Sequence, residues 1–303
     1  MASLWLCQSA LVLRFGGRLN AGHKLYTLKY LILLYLTFII GCSSAQKYPP
    51  DDNLLNYSYK IQGINDHTKQ YVNAGTGFII NHNGVDFLVS NYHVFTGKDA
   101  VTGQIVNGLT DTCTSIIVWF RGQVDTPFKK LVIPLYDSIG KLFSVYHADK
   151  EKLLDIAVMP LPRNDLPPGI KKYTISLSDV DTSTNSPENK RIYVVGFPVG
   201  YLKDGWKPKV VKANSVTQKV SGNFTIPNIF FDDTTSGGMS GSPTYIQTDE
   251  TTKPLLVAIN SMNTDFDSNN PKIKGGAYYF KYCWDIIKLI IKENRPGVDV
   301  YFQ

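Results

Sequence analysis

Cysteine is scarce in this sequence, and its spacing limits the classes of protein that the chain can form. Four cysteines occur in 303 residues, too few for the disulfide-dense scaffold of a small secreted domain. No two of them stand close enough for the Cys-x-x-Cys pair of a zinc site. A disulfide framework and a cysteine-based zinc site are therefore excluded.

Long apolar runs are scarce as well. Only residues 30–40, YLILLYLTFII, are apolar enough to enter a bilayer, and they fall short of the roughly 20 residues that a transmembrane helix needs. This excludes a polytopic membrane protein. The run follows Lys24 and Lys29, which is the arrangement of a secretory signal peptide. We therefore predict an export signal over residues 1–41, and an uncleaved signal anchor remains the alternative.

The sequence also lacks a basic surface stretch. It carries 31 Lys and Arg against 25 Asp and Glu, a net charge of +6, which by itself suggests a nucleic-acid or membrane-surface partner. However, Arg14, Arg18, Lys24 and Lys29 all lie in residues 1–41, which contain no acid, so the remaining chain carries only +2. No basic run and no nucleic-acid motif follows, and we expect no nucleic-acid partner.

Helical periodicity is nearly absent from Tyr57 onward. Short runs rich in Val, Ile, Phe and Tyr alternate with Gly, Asn, Asp and Pro, a pattern typical of strands. Only residues 282–291, YCWDIIKLII, repeat apolar side chains at helical spacing. These features predict an all-β protein, a closed antiparallel barrel or a sandwich, with one C-terminal helix. The polar residues 178–190 are the predicted boundary between two halves.

Three segments contain residue types suited to nucleophilic catalysis. They are GTGFII at 75–80 followed by FLVSNYHV at 87–94, LLDIAV at 153–158, and TTSGGMSGSP at 234–243. A serine hydroxyl is a weak nucleophile at neutral pH and needs a base to take its proton. A neutral imidazole supplies that base, and a buried carboxylate can orient the imidazole.

These segments resemble the chymotrypsin-like (trypsin-fold) serine proteases, in particular their bacterial, glutamyl-endopeptidase-like branch, over residues 70–285. The most specific part is the Gly-x-Ser-Gly-Ser-Pro sequence around Ser240. The resemblance implies that His93 is the general base, Asp155 the orienting carboxylate and Ser240 the nucleophile. It also implies two six-stranded antiparallel β-barrels, and a serine endopeptidase that cleaves proteins or peptides through an acyl-enzyme without metal or cofactor.

The predicted domain boundaries combine the N-terminal export signal with the protease resemblance. They are a signal peptide at 1–41, a tether at 42–58, a protease domain at 59–290 with barrel one over about 59–177 and barrel two over about 190–281, and a C-terminal tail at 291–303.

Family positions also suggest how substrate would be held. The backbone N–H groups of Gly238 and Ser240 would form an oxyanion hole, and the glycines let that loop turn sharply. Ser261 falls where the family keeps a serine hydrogen-bonded to the triad Asp, and residues 261–263 would pair with the substrate backbone. The expected substrate-binding residues are Thr234, Thr235, Asn260, Ser261, Met262, Asn263 and Gly276.

Three positions depart from the family pattern. Thr234, six residues before Ser240, replaces the Asp of trypsin-type enzymes and argues against a preference for Arg or Lys. Thr235 matches the glutamate-specific branch, but Asn260 replaces its histidine, which suggests a polar uncharged side chain instead. Met239 replaces the Asp that pairs with a newly cut N-terminus in trypsin-like zymogens, so we expect no activation by that mechanism.

Residues 39–42, IIGC, resemble a bacterial lipobox, in which the chain is cut before the Cys and the thiol is lipidated. This implies a lipid on Cys42, a tether after it, and an exported protein anchored to a bacterial membrane. Cys113 and Cys283 would remain in the mature chain. A disulfide between them and two buried free thiols both remain open.

A second function also remains open, because a fold does not dictate function. Protease folds can become catalytically silent binding modules at a cell surface. The intact series of His93, Asp155 and Ser240, together with the glycine loop, favours the enzyme.

Overall fold

The computed structural model describes residues 53–106, 108–121, 129–140, 146–147, 154–161, 171–184, 190–198, 207–216, 228–249, 252–262, 272–293 and 301–302. The chain divides into two compact units, residues 1–47 and 48–303, and all described residues belong to the second. The predicted signal peptide and Cys42 lie outside the described residues.

The first half of the described chain is almost entirely strand. A 3₁₀ turn at Leu55–Tyr57 precedes it. Its elements are β1 (Ser58–Asn65), β2 (Gln70–His82), β3 (Val85–Ser90), the short helix α1 (Tyr92–Thr96), β4 (Ser115–Phe120), β5 (Lys129–Pro134), β6 (Tyr146–His147), β7 (Ala157–Pro160) and β8 (Ile175–Ser176), followed by a 3₁₀ turn at Leu177–Asp179.

The second half repeats this strand-rich character and then ends in a helix. Its elements are β9 (Arg191–Gly196), β10 (Lys209–Val216), β11 (Asn228–Phe231), β12 (Pro243–Gln247), β13 (Leu255–Met262), β14 (Gly275–Tyr279), α2 (Phe280–Lys292) and β15 (Tyr301–Phe302).

The strands form two sheets. The first has the order β15-β5-β4-β1-β2-β3-β7-β6, with β8 beside β2, and is an open half-barrel. The second is a closed antiparallel barrel of six strands in the order β10-β11-β14-β13-β12-β9. Closure leaves no free edge for pairing with another chain. A mainly antiparallel half-barrel and a closed antiparallel barrel, with a C-terminal helix, confirm the predicted chymotrypsin-like fold class.

The continuous apolar runs in the sequence arise because several strands are buried on both faces. Successive side chains of a strand point to opposite faces. In β2, Phe78 and Ile80 therefore enter a core shared by both sheets, whereas Ile79 enters the core of the first sheet. In β9, Tyr193 faces the shared core and Val194 faces the core of the closed barrel.

Helix α2 closes the shared core. Its buried side chains recur at helical spacing, which is the pattern of an amphipathic surface helix. These side chains are Phe280, Cys283, Ile286, Ile287 and Ile290. The helix predicted at residues 282–291 is thus confirmed and is slightly longer than its pattern.

Cys113 and Cys283 are both buried and both free. The two thiols lie in different hydrophobic cores, Cys113 in that of the first sheet and Cys283 in the shared core. The structure therefore decides the question that the spacing left open, and no disulfide joins them.

Candidate active site

The imidazole and the carboxylate predicted to act together lie side by side. His93 is in α1, directly after β3, and Asp155 stands two residues before β7. Because β3 and β7 are paired in the first sheet, with Ser90 opposite Ala157, the two side chains meet at the same end of that pair. Sheet pairing thus brings together residues that are far apart in sequence.

Asp155 holds His93 at two points. Its Oδ2 lies 2.5 Å from His93 Nδ1, and its Oδ1 accepts a hydrogen bond from the His93 backbone N–H at 3.0 Å. In turn, the Asn91 side-chain amide donates to the Asp155 carbonyl oxygen at 2.6 Å. With Nδ1 directed at the carboxylate, the other ring nitrogen of His93 is left to act as a base.

The surroundings of His93 change its basicity in opposite directions. Burial of the ring lowers the pKa of His93, but the charge of Asp155, the hydrogen bond to Asp155 and the more distant charge of Asp99 raise it by more. The pKa of His93 therefore lies above its usual value. An adjacent carboxylate acts this way because it favours the charged imidazolium.

Further groups surround the Asp155 carboxylate. Ser261 Oγ donates to Asp155 Oδ2 at 3.3 Å, as the family position suggested. The Tyr278 hydroxyl interacts with the Ser261 side chain and with the Asp155 backbone. Burial, and then the charge of Asp155, raise the pKa of Tyr278 to about 12, so the phenol keeps its proton at neutral pH. No pattern in the sequence indicates this contact.

The loop that carries Ser240 is shaped by glycines with left-handed backbone. Gly238 has φ +85° and Gly241 has φ +82°, a conformation that is readily adopted only by glycine. A Cβ at Gly241 would lie 2.1 Å from both Ser90 Oγ and the Thr76 carbonyl oxygen. No other residue fits at this position without displacing the backbone of β2.

Two N–H groups of this loop are unpaired among the described residues. Within the described part of the chain, the N–H groups of Gly238 and Ser240 make no hydrogen bond. They belong to the two residues from which an oxyanion hole was predicted. Unpaired donors in a fixed loop can stabilise a developing oxyanion without first breaking other bonds.

Thr76 connects the loop to the first sheet. Its backbone N–H donates to the Ser240 carbonyl oxygen at 2.9 Å, and its hydroxyl donates to the Gly238 carbonyl oxygen at 2.9 Å. The Phe197 N–H donates to the same hydroxyl at 2.9 Å. The sequence marked Thr76 only as part of the GTG segment, and its role in holding the loop follows from the tertiary structure.

Ser240 and the segment that contains His93 both pack against β2, and no direct hydrogen bond joins their side chains. Among the described residues, no hydrogen bond links the Ser240 hydroxyl to the His93 ring, and such bonds often tighten only when substrate is bound. A Cβ at Gly75 would lie 2.6 Å from Val94 and 3.1 Å from the Ser240 carbonyl oxygen. Gly75 therefore lets the residue after His93 and the backbone of Ser240 approach the same point of β2.

The residues predicted to form a specificity pocket have different surroundings. Thr234 is exposed, whereas Thr235 and Asn260 are buried. The Asn260 Nδ2 donates to the Met239 carbonyl oxygen at 2.9 Å and to Thr235 Oγ1 at 3.5 Å, while its Oδ1 makes no hydrogen bond. The amide of Asn260 thus holds the loop that carries Ser240, through the carbonyl oxygen of Met239.

Three of the remaining predicted substrate residues, Ser261, Met262 and Gly276, lie on two paired strands. Met262 is the last residue of β13, and Gly276 of β14 lies opposite it. Ser261 is half-buried between them and Asp155. Asn263 lies outside the described residues.

Met239 is buried in the core of the closed barrel, together with Ile192, Val194 and Ala213. Apolar packing therefore holds the residue just before Ser240. No charged partner is needed there, since a thioether forms no ion pair.

The comparisons with known proteins agree with this architecture. Residues 75–251 match the family described as "Trypsin-like peptidase domain", and the chain belongs to this family. A scabies mite inactivated protease paralogue, S-I1, matches with 16% identity over 82% of this chain and 98% of its own, at a TM-score of 0.51. This likeness supports the fold alone.

Two further solved structures match at lower scores. The HtrA-type protease AlgW with tripeptide is 16% identical over 80% of this chain, which spans 62% of AlgW, with a TM-score of 0.47. Protease Anisep from Arthrobacter nicotinovorans is 12% identical over 79% of this chain and 97% of its own, with a TM-score of 0.49.

The described residues contain neither a metal-binding cluster nor a membrane-crossing helix. In the described ranges, no group of three or more His, Cys, Asp or Glu side chains could hold a metal ion. None of the helices in those ranges has the length and apolar character of a membrane-crossing segment.

Proposed function

We propose that this protein is a serine endopeptidase in which His93, Asp155 and Ser240 carry the reaction. The observation that supports this most is the double contact of Asp155 with His93, through the ring Nδ1 at 2.5 Å and the backbone N–H at 3.0 Å. A carboxylate in this position fixes the tautomer of the imidazole and stabilises the imidazolium that forms during the reaction.

In the first half of the reaction, His93 Nε2 takes the proton of Ser240 Oγ as that oxygen bonds to the carbonyl carbon of the scissile peptide. The carbonyl oxygen becomes an oxyanion, which the N–H groups of Gly238 and Ser240 stabilise. His93 then gives its proton to the leaving amine, the C–N bond breaks, and an acyl-enzyme remains. In the second half, His93 takes a proton from water as the water oxygen bonds to the carbonyl carbon of the ester. The bond from that carbon to Ser240 Oγ then breaks, His93 returns the proton to Ser240 Oγ, and the acid leaves.

The residue types at positions 234, 235 and 260 suggest which substrate side chain the specificity pocket binds. Neither Thr234 nor Thr235 supplies a negative charge for Arg or Lys, and Asn260 stands where the glutamate-specific branch has a histidine. We therefore assign the enzyme a pocket that binds polar uncharged side chains. This preference differs from that of the glutamyl-endopeptidase-like branch, which binds glutamate. Cleavage-site profiling on a peptide library tests this, and enrichment of Glu, of basic residues or of aromatics would contradict it.

The N-terminal sequence supports export and a lipid anchor on Cys42. Expression in a bacterium that processes lipoproteins, with a radiolabelled or clickable fatty acid, should label the wild-type chain and leave Cys42→Ser unlabelled. Labelling of both forms, or of neither, would contradict the anchor.

The catalytic proposal is tested with a fluorophosphonate probe, which reacts with activated serines. The folded wild-type protein should be labelled, and Ser240→Ala should not. Ser236→Ala is the matched control, because Ser236 is an exposed serine of the same loop and its replacement should leave labelling intact. A folded wild-type protein that resists the probe would instead indicate the catalytically silent binding module.

A further inference from the structure

The side-chain amide of Asn73 in β2 makes hydrogen bonds to three residues, His93, Gly63 and Cys113. Its Nδ2 donates to the carbonyl oxygen of His93 at 2.8 Å. Its Oδ1 accepts from the backbone N–H of Gly63 at 3.2 Å and from Cys113 Sγ at 3.6 Å. One amide therefore joins β1, the segment before β4, and the helix that carries His93.

The amide of Asn73 packs closely against Gly63 and Cys113. A Cβ at Gly63 would lie 2.3 Å from Asn73 Oδ1 and 2.2 Å from Cys113 Sγ, so a side chain at Gly63 would expel one of the two groups. Burial, and then the charge of Asp111, raise the pKa of Cys113 to about 12. The thiol thus keeps its proton and remains a donor to the amide oxygen.

Helix α1 needs such outside support. It has only five residues, and a helix of that length has almost no stability of its own. One of its few internal bonds, from the Phe95 N–H to the Asn91 carbonyl, is long at 3.4 Å. The position of His93 must therefore be set by contacts from other elements.

Contacts on both sides of the backbone fix His93. Asp155 holds the backbone N–H and the ring, while the carbonyl oxygen accepts from Asn73 Nδ2 and from the Gly97 N–H at 2.8 Å. Asp155 acts from the β7 side and Asn73 from the β2 side. The backbone of His93 is therefore held by both side chains.

We propose that Asn73 is a positioning residue for His93, holding α1 so that the imidazole stays in register with Asp155. This proposal rests on the proposed function, since it assigns a role in preparing the same base. Asn73 touches no reacting atom and acts only through the His93 backbone. A small displacement of a reacting group can lower the rate about 10²-fold.

The test compares Asn73→Ala with wild type and with Asn81→Ala. Asn81 is the matched control because it lies on the same strand and its Nδ2 donates to Asp86 Oδ1 at 2.7 Å, away from the triad. For Asn73→Ala we expect fluorophosphonate labelling to slow by about 10- to 100-fold, with the midpoint of its pH profile moved to lower pH. Asn81→Ala should keep both the rate and the midpoint.

The direction of that shift follows from the groups that face the ring. Asp155 and Asp99 are the charges that raise the pKa of His93, and the substitution leaves both in place. A looser α1 weakens the contact with Asp155, so the pKa of His93 falls toward its ordinary value. A role in overall stability alone would lower the melting temperature without moving this pKa.

A second readout separates this proposal from the proposed function. NMR titration of the His93 ring in a Ser240→Ala background measures its pKa without any activity. If wild type resists the probe, the endopeptidase fails while the titration still tests Asn73. If wild type is labelled and Asn73→Ala leaves both the rate and the pKa unchanged, the role of Asn73 is refuted.

Asn73→Thr serves where the Ala variant does not fold. Thr is favoured in strands, and its short side chain cannot reach the His93 carbonyl oxygen. The same slower labelling and lower pKa are expected. A folded Thr variant with the wild-type rate and pKa would overturn the proposal.

Discussion

At the scale of single residues, Asp155 connects several groups of the candidate site. It contacts the backbone and the ring of His93 and accepts a hydrogen bond from Ser261. The carboxylate also raises the basicity of the imidazole through its charge and its hydrogen bond. The orientation and the protonation of His93 therefore depend on the same group.

Asp155→Asn should reduce the rate of fluorophosphonate labelling strongly while leaving the fold intact. An amide keeps the shape but stabilises the wrong tautomer and not the imidazolium, which costs about 10⁴-fold in the worked case of this family. Asp86→Asn is the control, because Asp86 is a buried carboxylate bound by Lys172 and Asn81, outside the site. A loss of less than tenfold for Asp155→Asn would count against the proposed role.

The raised pKa of His93 predicts a pH dependence. Only the neutral imidazole can take the serine proton, so labelling should rise with pH through a midpoint above the ordinary value of about 6.5. Because the protonated ring is favoured in the fold, its stabilising effect is full below that ordinary value. The effect is lost as pH rises through the folded-state pKa. A pH–rate profile of wild type checks this, and a midpoint at or below the ordinary value would contradict it.

At the scale of elements, the loop between β11 and β12, which carries Ser240, is held by side chains of two strands. Thr76 of β2 binds the backbone of Gly238 and Ser240, and the Asn260 amide of β13 binds the Met239 carbonyl oxygen. The loop conformation is therefore fixed by strands of both sheets. Such prior ordering is what makes its N–H groups useful to a transition state.

Gly241→Ala should destabilise the protein by about 2 kcal/mol or more and abolish labelling, because a side chain is strained at positive φ and would collide with β2. Gly237→Ala is the matched control, since a Cβ at Gly237 meets nothing within 4 Å. Urea denaturation and probe labelling of the two variants provide the measurement. Similar behaviour of both would show that the loop tolerates a side chain where the structure forbids it.

At the scale of the whole molecule, the site depends on the union of two barrels. His93 and Asp155 lie next to β3 and β7 of the first sheet, and Ser240 lies in the loop between β11 and β12 of the second. A shared core joins the sheets, and α2 contributes one of its sides. The geometry between His93 and Ser240 is thus a property of this joint packing.

Phe280→Ala should weaken both barrels together. Phe280 is fully buried and its ring lies 6.4 Å from that of Phe78 in β2, so its loss leaves a cavity at the junction, at a cost of about 3–5 kcal/mol. Leu289→Ala on the same helix is the control, because Leu289 is 47% exposed. We expect a single denaturation transition at lower urea for Phe280→Ala, and two separate transitions would contradict a shared core.

The amino-acid sequence was sufficient for the fold class and the helix α2, and it also singled out His93, Asp155 and Ser240 as the candidate site. Strand-length apolar runs and the Gly-x-Ser-Gly-Ser-Pro segment are local patterns, and local patterns can be recognised without coordinates. The sequence left the state of Cys113 and Cys283 open, because their separation along the chain does not say which core each enters.

Only the tertiary structure revealed the supporting contacts. Asn73 binds the backbone of His93, Thr76 binds the loop that carries Ser240, and Tyr278 interacts with Ser261. These contacts join different strands or different barrels. No local pattern marks them, since an Asn, a Thr or a Tyr in a strand is equally compatible with many partners. The sequence by itself thus determined which chemical groups the chain carries. Packing of the two sheets decided which of these groups meet, because hydrogen bonds depend on distances that only the folded chain defines.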